Sequence, residues 1–239
     1  MRNTIAIMQR ELLSLFCSPI GYIVISGFLL ITGVIVLMTK SFSPGQPATL
    51  AAFFYLTPFV LTIIVPAITM RAISDEYRSG TIETLMTAPV SDAQLVVGKF
   101  LASLVFYVIM IAATLIYPIL ISMFGRADWG AAASSYVGLL LMGATFIAFG
   151  VMASSLTRNQ VVAWIAGAVP LLLLAWLAYY MIPQVSGALR TVFQEVNVMG
   201  RFEAMTKGAI SLSSAVFFVG GAVLFLFIAT KIVESKRWR

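Results

Sequence analysis

The chain has 239 residues, 61% of them hydrophobic and 10% charged, with a mean hydropathy of +1.01. Soluble domains run nearer about 45–50% apolar and about 25% charged, so this is the composition of an integral membrane protein. With no His and the single Cys17, the chain has neither an internal disulfide framework nor a His-based or Cys/His metal site; the net charge of +6 has no basic run on a soluble domain behind it and speaks for membrane orientation, not nucleic acid.

The first element is "NTIAIMQRELLSLF" (3–16). Ile5, Met8, Leu12 and Leu15 recur at steps of 3, 4 and 3, with Asn3, Arg10 and Ser14 on the other side. The spacing predicts an amphipathic helix too short and too polar to span, suited to lying in the interface; the bland alternative is a frayed tail. Pro19 then permits a turn into the membrane. The apolar run 20–39 is long enough to cross and lacks a small-residue cleavage site after it, so it reads as a retained span and not as a signal peptide.

A spanning helix needs about 20 mostly apolar residues. Six segments meet this, roughly 20–39, 51–71, 98–122, 135–156, 161–182 and 213–231. Short connections separate most of them and leave no room for a soluble domain. The expected fold is all-α and polytopic, one transmembrane domain over 1–239. Small residues at four-residue spacing, Ala144/Ala148 and Ala163/Gly167, read as helix packing.

Six spans put both termini on one side. Ten basic residues fall there (Arg2, Arg10, Arg71, Arg78, Lys99, Arg158, Lys231, Lys236, Arg237, Arg239), against five on the other (Lys40, Arg126, Arg190, Arg201, Lys207). By the positive-inside rule the termini are cytoplasmic. Residues 183–212 form a long outer loop. Trp176, Tyr179 and Tyr180 at the outer edge fit interface anchoring better than sugar stacking.

The cytoplasmic segment 71–98 stands out. Within it, "DEYRSGTIETLMTAPVSD" (75–92) gathers five charged residues, a Gly and a Pro between two apolar stretches. The second span is expected to run on through "MRAISDEYRS" and halt at Gly80, a residue suited to ending a helix. Thr81 or Gly80 caps a new helix, with Glu83 in its first turn where the dipole favours negative charge. Pro89 discourages helical geometry at Ala88, so that helix has about two turns. Ser91-Asp92-Ala93-Gln94 forms a capping box that launches the third span. Ile82, Leu85 and Met86 line one face of the short helix, with Glu83, Thr84 and Thr87 opposite. Two readings fit this pattern equally: a knob seated in a partner's groove, or an ordinary loop whose helix rests on the membrane surface.

All nine acidic residues lie outside the proposed spans. Ion-driven carriers usually need ionisable groups at membrane depth, so an ion-coupled transporter or an intramembrane enzyme is disfavoured. Gly98-Lys99 is followed by Phe100 and lacks the upstream glycine of a phosphate-binding loop, so the chain itself is not an ATPase. Any ATP must be bound by another chain.

"ISDEYRSGTIETLMTAPVSDAQLVVGKF" (73–100) resembles the signature of ABC-2-type permeases, the membrane subunits of a large class of ATP-driven exporters. The matching positions are Glu76, Gly80, Thr81, Glu83, Leu85, Pro89, Gly98 and Lys99. "SPIGYIVISGFLLITG" (18–33), "VPAITMRAISDE" (65–76), "LTRNQVVAWI" (156–165) and "FEAMTKGAISL" (202–212) are similar to the gliding-motility-associated branch of these permeases. The resemblance covers essentially the whole chain.

That resemblance implies a permease subunit in the bacterial cytoplasmic (inner) membrane with an interfacial helix at its N-terminus. It implies pairing with a second permease, identical or paralogous, and with separate ATPase subunits that bind ATP and Mg; this chain would hold no cofactor. The short helix in 71–98 would be the coupling helix. Ile82, Leu85 and Met86 would supply docking area, Glu83 and Arg78 would orient the contact, and Asp75 and Glu76 would pair with basic partner residues. For each charge the alternative is solvation at the surface. Residues 183–212 would be the partly re-entrant region near the exit. An accessory envelope subunit and membrane lipids are further expected partners, and nucleic acid is not. The alternative function is an ABC-type complex that transmits force or assembles a gliding-type envelope machine without exporting a solute.

Overall fold

The structure, a computed structural model, describes residues 2–38, 50–80, 91–124, 128–184, 186–208 and 211–237. The protein is all-α among these residues, and six of its helical segments are long and apolar enough to cross a membrane.

The first helix, α1 (Arg2–Cys17), is followed after Ser18 by α2 (Pro19–Met38). Proline is well placed there, because its missing N–H is one of the four that a helix start leaves unbonded anyway. The helix α3 (Ala51–Thr69) carries Pro58 and Pro66 in its interior. The expected uninterrupted run to Gly80 is broken: the chain turns over residues 70–73 and resumes as α4 (Ser74–Ser79). A side chain from a later span causes this. The Ser154 hydroxyl accepts the N–H groups of Ile73 and Ser74, both at 3.1 Å, and donates to the Met70 carbonyl at 3.0 Å. The break is therefore satisfied from outside its own helix, as buried backbone groups require.

The third span begins earlier than hydropathy alone suggests, because Ser91 caps α5 (Asp92–Ala113) with reciprocal Ser91–Gln94 bonds. A second break separates α5 from α6 (Ile116–Phe124). Pro118 has no N–H for the Thr114 carbonyl four residues back, and the Tyr136 hydroxyl donates to it instead at 3.0 Å.

The central helix is α7 (Trp129–Leu156), capped by Asp128 and buried along most of its length. It packs against α3, α5 and the later helices α8 (Gln160–Leu172), α11 (Val198–Thr206) and α12 (Leu212–Arg237). Close approach is possible because α7 is rich in small residues. A Cβ on Gly143 would lie 2.2 Å from the Tyr107 ring, whose hydroxyl donates to the Leu139 carbonyl at 2.7 Å. Ala163 and Gly167 do face a packed helix interface, Gly167 against Pro66.

Beyond α8 the chain widens into a π turn (Leu173–Leu177), then α9 (Ala178–Met181) and α10 (Ala188–Glu195). In α11, Met199, Phe202 and Met205 are buried, so part of the expected outer loop is folded into the bundle. Within that loop Phe202 lies in the core while Val196 is exposed.

Candidate functional site

The last turn of α12 lies at one end of the bundle, together with α1, α4, the start of α5 and the α7–α8 junction. Contacts join these parts directly. The Lys236 ammonium, near the end of α12, donates to the Ser155 and Leu156 carbonyls at 2.8 and 3.2 Å, capping α7. Arg71 Nε donates to Gln160 Oε1 at 3.2 Å, and Gln160 Nε2 donates to Asp75 Oδ1 at 2.6 Å.

At the same end four charges from three helices meet. Lys99 Nζ lies 3.0 Å from Glu11 Oε1 and 2.9 Å from Glu76 Oε1. The outer cation, Arg10, reaches the same two oxygens at 2.8 and 3.1 Å. The Lys99 side chain is 2% exposed and that of Glu76 9%, whereas Arg10 is 57% exposed. An ammonium that deep is tolerable only when paired, since desolvating an ion costs several kcal/mol. Burial works against the Glu11 charge, but Lys99 and Arg10 together outweigh it and hold the carboxyl below its ordinary value.

Local sequence explains why these helices can meet. Gly98 precedes Lys99, and a Cβ there would come within 2.9 Å of Ile7 Cγ2 and 3.1 Å of the Thr4 carbonyl. The glycine thus seats α1 on α5, and the next residue pairs with its carboxylate. α4 ends at Gly80 in the left-handed region, φ 72°, where a side chain is disfavoured. Asp75 and Glu76 occupy its first turn and Arg78 its last, the arrangement a helix dipole favours.

Of the site residues expected from sequence, Asp75, Glu76, Arg78 and Gly80 belong to this end of the molecule. Glu76 faces inward to Lys99 and Asp75 bonds Gln160, while Arg78 is exposed. Thr81, Ile82, Glu83, Leu85, Met86 and Pro89 lie outside the described residues. Glu76, expected to pair with basic residues of a partner, has Lys99 and Arg10 of this chain on its Oε1. Glu11 and Lys99 were not singled out as a site; their signal was two opposite charges beside apolar runs, without any mark that they meet.

At the opposite end a cavity of about 720 Å³ opens among Phe54, Tyr55, Tyr179, Phe202, Glu203 and Lys207. Beside it Trp176 stacks on Tyr180 with ring centroids 5.9 Å apart, and Tyr55 and Phe59 meet Trp176 edge-on. Tyr179 donates to Glu203 Oε2 at 3.2 Å. The three aromatics expected as interface anchors are thus joined by two from α3.

Two ends, one carrying a buried ion cluster and the other a largely apolar cavity beside an aromatic group, joined by six helices long and apolar enough to cross a membrane, are those of a multi-pass membrane protein. A family model described as "ABC-2 family transporter protein" matches residues 34–229, most of the chain. The chain belongs to the ABC-2 transporter family. The match takes in the end of α2, the next four spans and most of α12; α1, with Arg10 and Glu11, precedes it. No curated protein matches the chain.

Proposed function

We propose that this chain is the permease subunit of an ATP-driven ABC exporter, dimerising to form the substrate pathway and coupled to separate ATPase subunits through the segment 71–98. The observation that carries the reading is the ion cluster. Residues 81–90 are flanked by α4 and α5; the flanks are tied to each other by Glu76 and Lys99, and to α1 through Arg10 and Glu11. A push on the short segment between them would be delivered to the second and third spans as a unit, in keeping with a switch between two packed states. Family membership supports association with an ATPase and a second permease. The excess of basic residues at the end bearing both termini supports cytoplasmic termini in a bacterial inner membrane. ATP and Mg would belong to the partner.

The test uses Glu83→Lys in the full chain, co-reconstituted with its ATPase in vesicles. The variant is expected to insert normally and to lose the permease-dependent part of ATP turnover. Unchanged turnover would remove Glu83 from the coupling.

A second reading keeps the architecture but has the complex transmit force to an envelope machine. The family match does not single out the gliding-motility-associated branch; this reading predicts ATP turnover that responds to no solute.

A further inference from the structure

At the end of the bundle away from the ion cluster, the cavity of about 720 Å³ is bounded by the first turns of α3 and α7, by α6, α9 and α11. A pocket of this size holds a small organic molecule. Its accessible wall is aromatic and small: Tyr55 is exposed, Tyr179 is half-buried, and Ala51 and Ala52 add a short apolar stretch. The charged side chains on the wall are Asp128, Glu203 and Lys207, which leave it one charge negative.

The polar side chains here offer acceptors and few donors. The Ser135 hydroxyl donates to the Ala131 carbonyl at 2.6 Å, that of Thr206 to the Glu203 carbonyl at 2.8 Å, and that of Tyr179 to Glu203 Oε2 at 3.2 Å. A hydroxyl has one hydrogen to give, so these three are already engaged. Tyr55 shares a bond of 3.3 Å with Tyr180. Lys207 is 72% exposed and comes no nearer to Glu203 Oε1 than 3.6 Å, beyond hydrogen-bond range. Among the described residues that oxygen accepts no hydrogen bond. Glu76 Oε2 at the other end is unbonded and buried; Glu203 Oε1 is unbonded and accessible, on a side chain 43% exposed.

We infer that this cavity binds an organic monocation, its ammonium N–H on Glu203 Oε1 beside the Tyr179 ring and its apolar body along Tyr55 and the two alanines. A donor-poor wall of net negative charge favours a ligand that brings both a hydrogen and a positive charge. The Tyr179–Glu203 bond sets an aromatic ring next to the carboxylate, and the face of such a ring attracts a cation. Only one charged contact is required, and its acceptor is open. A carboxylate ligand meets repulsion from the same wall, and a neutral isostere forgoes the charge-assisted bond. As a statement about the transported substrate the inference rests on the export reading; as a statement about binding it rests on this chain alone.

The experiment is isothermal titration calorimetry of the full chain in phosphatidylcholine nanodiscs, with empty discs as the reference and no ATPase present. Three probes share one apolar body: 2-naphthylmethylammonium, 2-naphthylmethanol and 2-naphthoate. The ammonium is expected to bind about tenfold more tightly than the alcohol, and the carboxylate more weakly than either. In Glu203→Gln the alcohol is expected to bind as before while the ammonium drops to its level. Equal binding of ammonium and alcohol by the native chain, preference for the carboxylate, or no ammonium binding above that of empty discs would overturn the inference. So would an ammonium preference undiminished in Glu203→Gln. The probe series on the native chain needs no substitution, so it remains decisive even if the variant folds poorly. With no ATPase in the discs, failure here leaves the coupling reading standing, and failure of coupling leaves this binding standing.

Discussion

The Lys99 ammonium lies 2.9 Å from Glu76 Oε1, joining the first residues of the third span to the short helix that follows the second. With Glu11 on the same ammonium, Lys99 is the point where α1, α4 and α5 meet. Removing one member of a buried, hydrogen-bonded ion set leaves its partners uncompensated and typically costs about 3–5 kcal/mol. Lys99→Met is therefore expected to lower the unfolding midpoint in detergent sharply. Arg10→Ala, which removes a half-exposed cation, is expected to cost about 1 kcal/mol or less. Equal losses would mean that the cluster does not act as a buried one.

The same cluster makes α1 docking sensitive to acid. Glu11 is depressed below its ordinary value of 4.5, so its contribution is fully present above that value and is lost as pH falls through the lower folded pKa. Protection of α1 against proteolysis is expected to be constant near neutrality and to fall below about pH 4. In Glu11→Gln that step should vanish, with α1 less protected at neutral pH; a step of unchanged size in the variant would assign it to another group.

Ser154 serves three backbone groups of another span at once. Ser154→Ala leaves two buried N–H donors without that acceptor, at about 1–3 kcal/mol for each group left unsatisfied. Amide hydrogen exchange at Ile73 and Ser74 should accelerate while that in α12 stays put. Uniform acceleration would point to global destabilisation instead.

Gly143 and Gly27 form a matched pair. A methyl on Gly143 would overlap the fully buried Tyr107 ring, whereas one on Gly27 meets nothing within 4 Å. Gly143→Ala should destabilise by about 1–3 kcal/mol or more through overpacking. Gly27→Ala should be neutral, or stabilising by up to about 1 kcal/mol, since alanine favours a helix. Thermal denaturation of the two proteins side by side checks this.

Much of the architecture was legible because it rests on local or one-dimensional signals. Long apolar runs marked the six spans, the Ser91–Gln94 pair marked the start of the third, and Gly80 marked a helix stop. What was not legible depends on residues far apart in the chain. The break at 70–73 follows from a hydroxyl about eighty residues later, and the cluster pairs Glu11 with Lys99 across 88 positions. Charges beside apolar runs look solvated until another helix covers them. α1 is instructive in the same way. Its apolar period was visible, but docking on α5 turns Ile7 inward beside Glu11 and leaves Ile5 49% exposed, because Gly98 fixes where the helix can approach. The aromatic group at the other end likewise joins Tyr55 to Tyr180, 125 positions apart, through hydroxyls 3.3 Å from each other.

The central claim is that this permease receives its driving force through the segment between α4 and α5. The most direct measurement is a mild-detergent pull-down of the tagged native chain and of Glu83→Lys, with every co-purifying chain identified by mass. The account predicts an ATPase that accompanies the native protein and is lost with the variant. If no nucleotide-binding chain is captured even after cross-linking, or if the ATPase binds both proteins equally, coupling through this segment by way of Glu83 is contradicted.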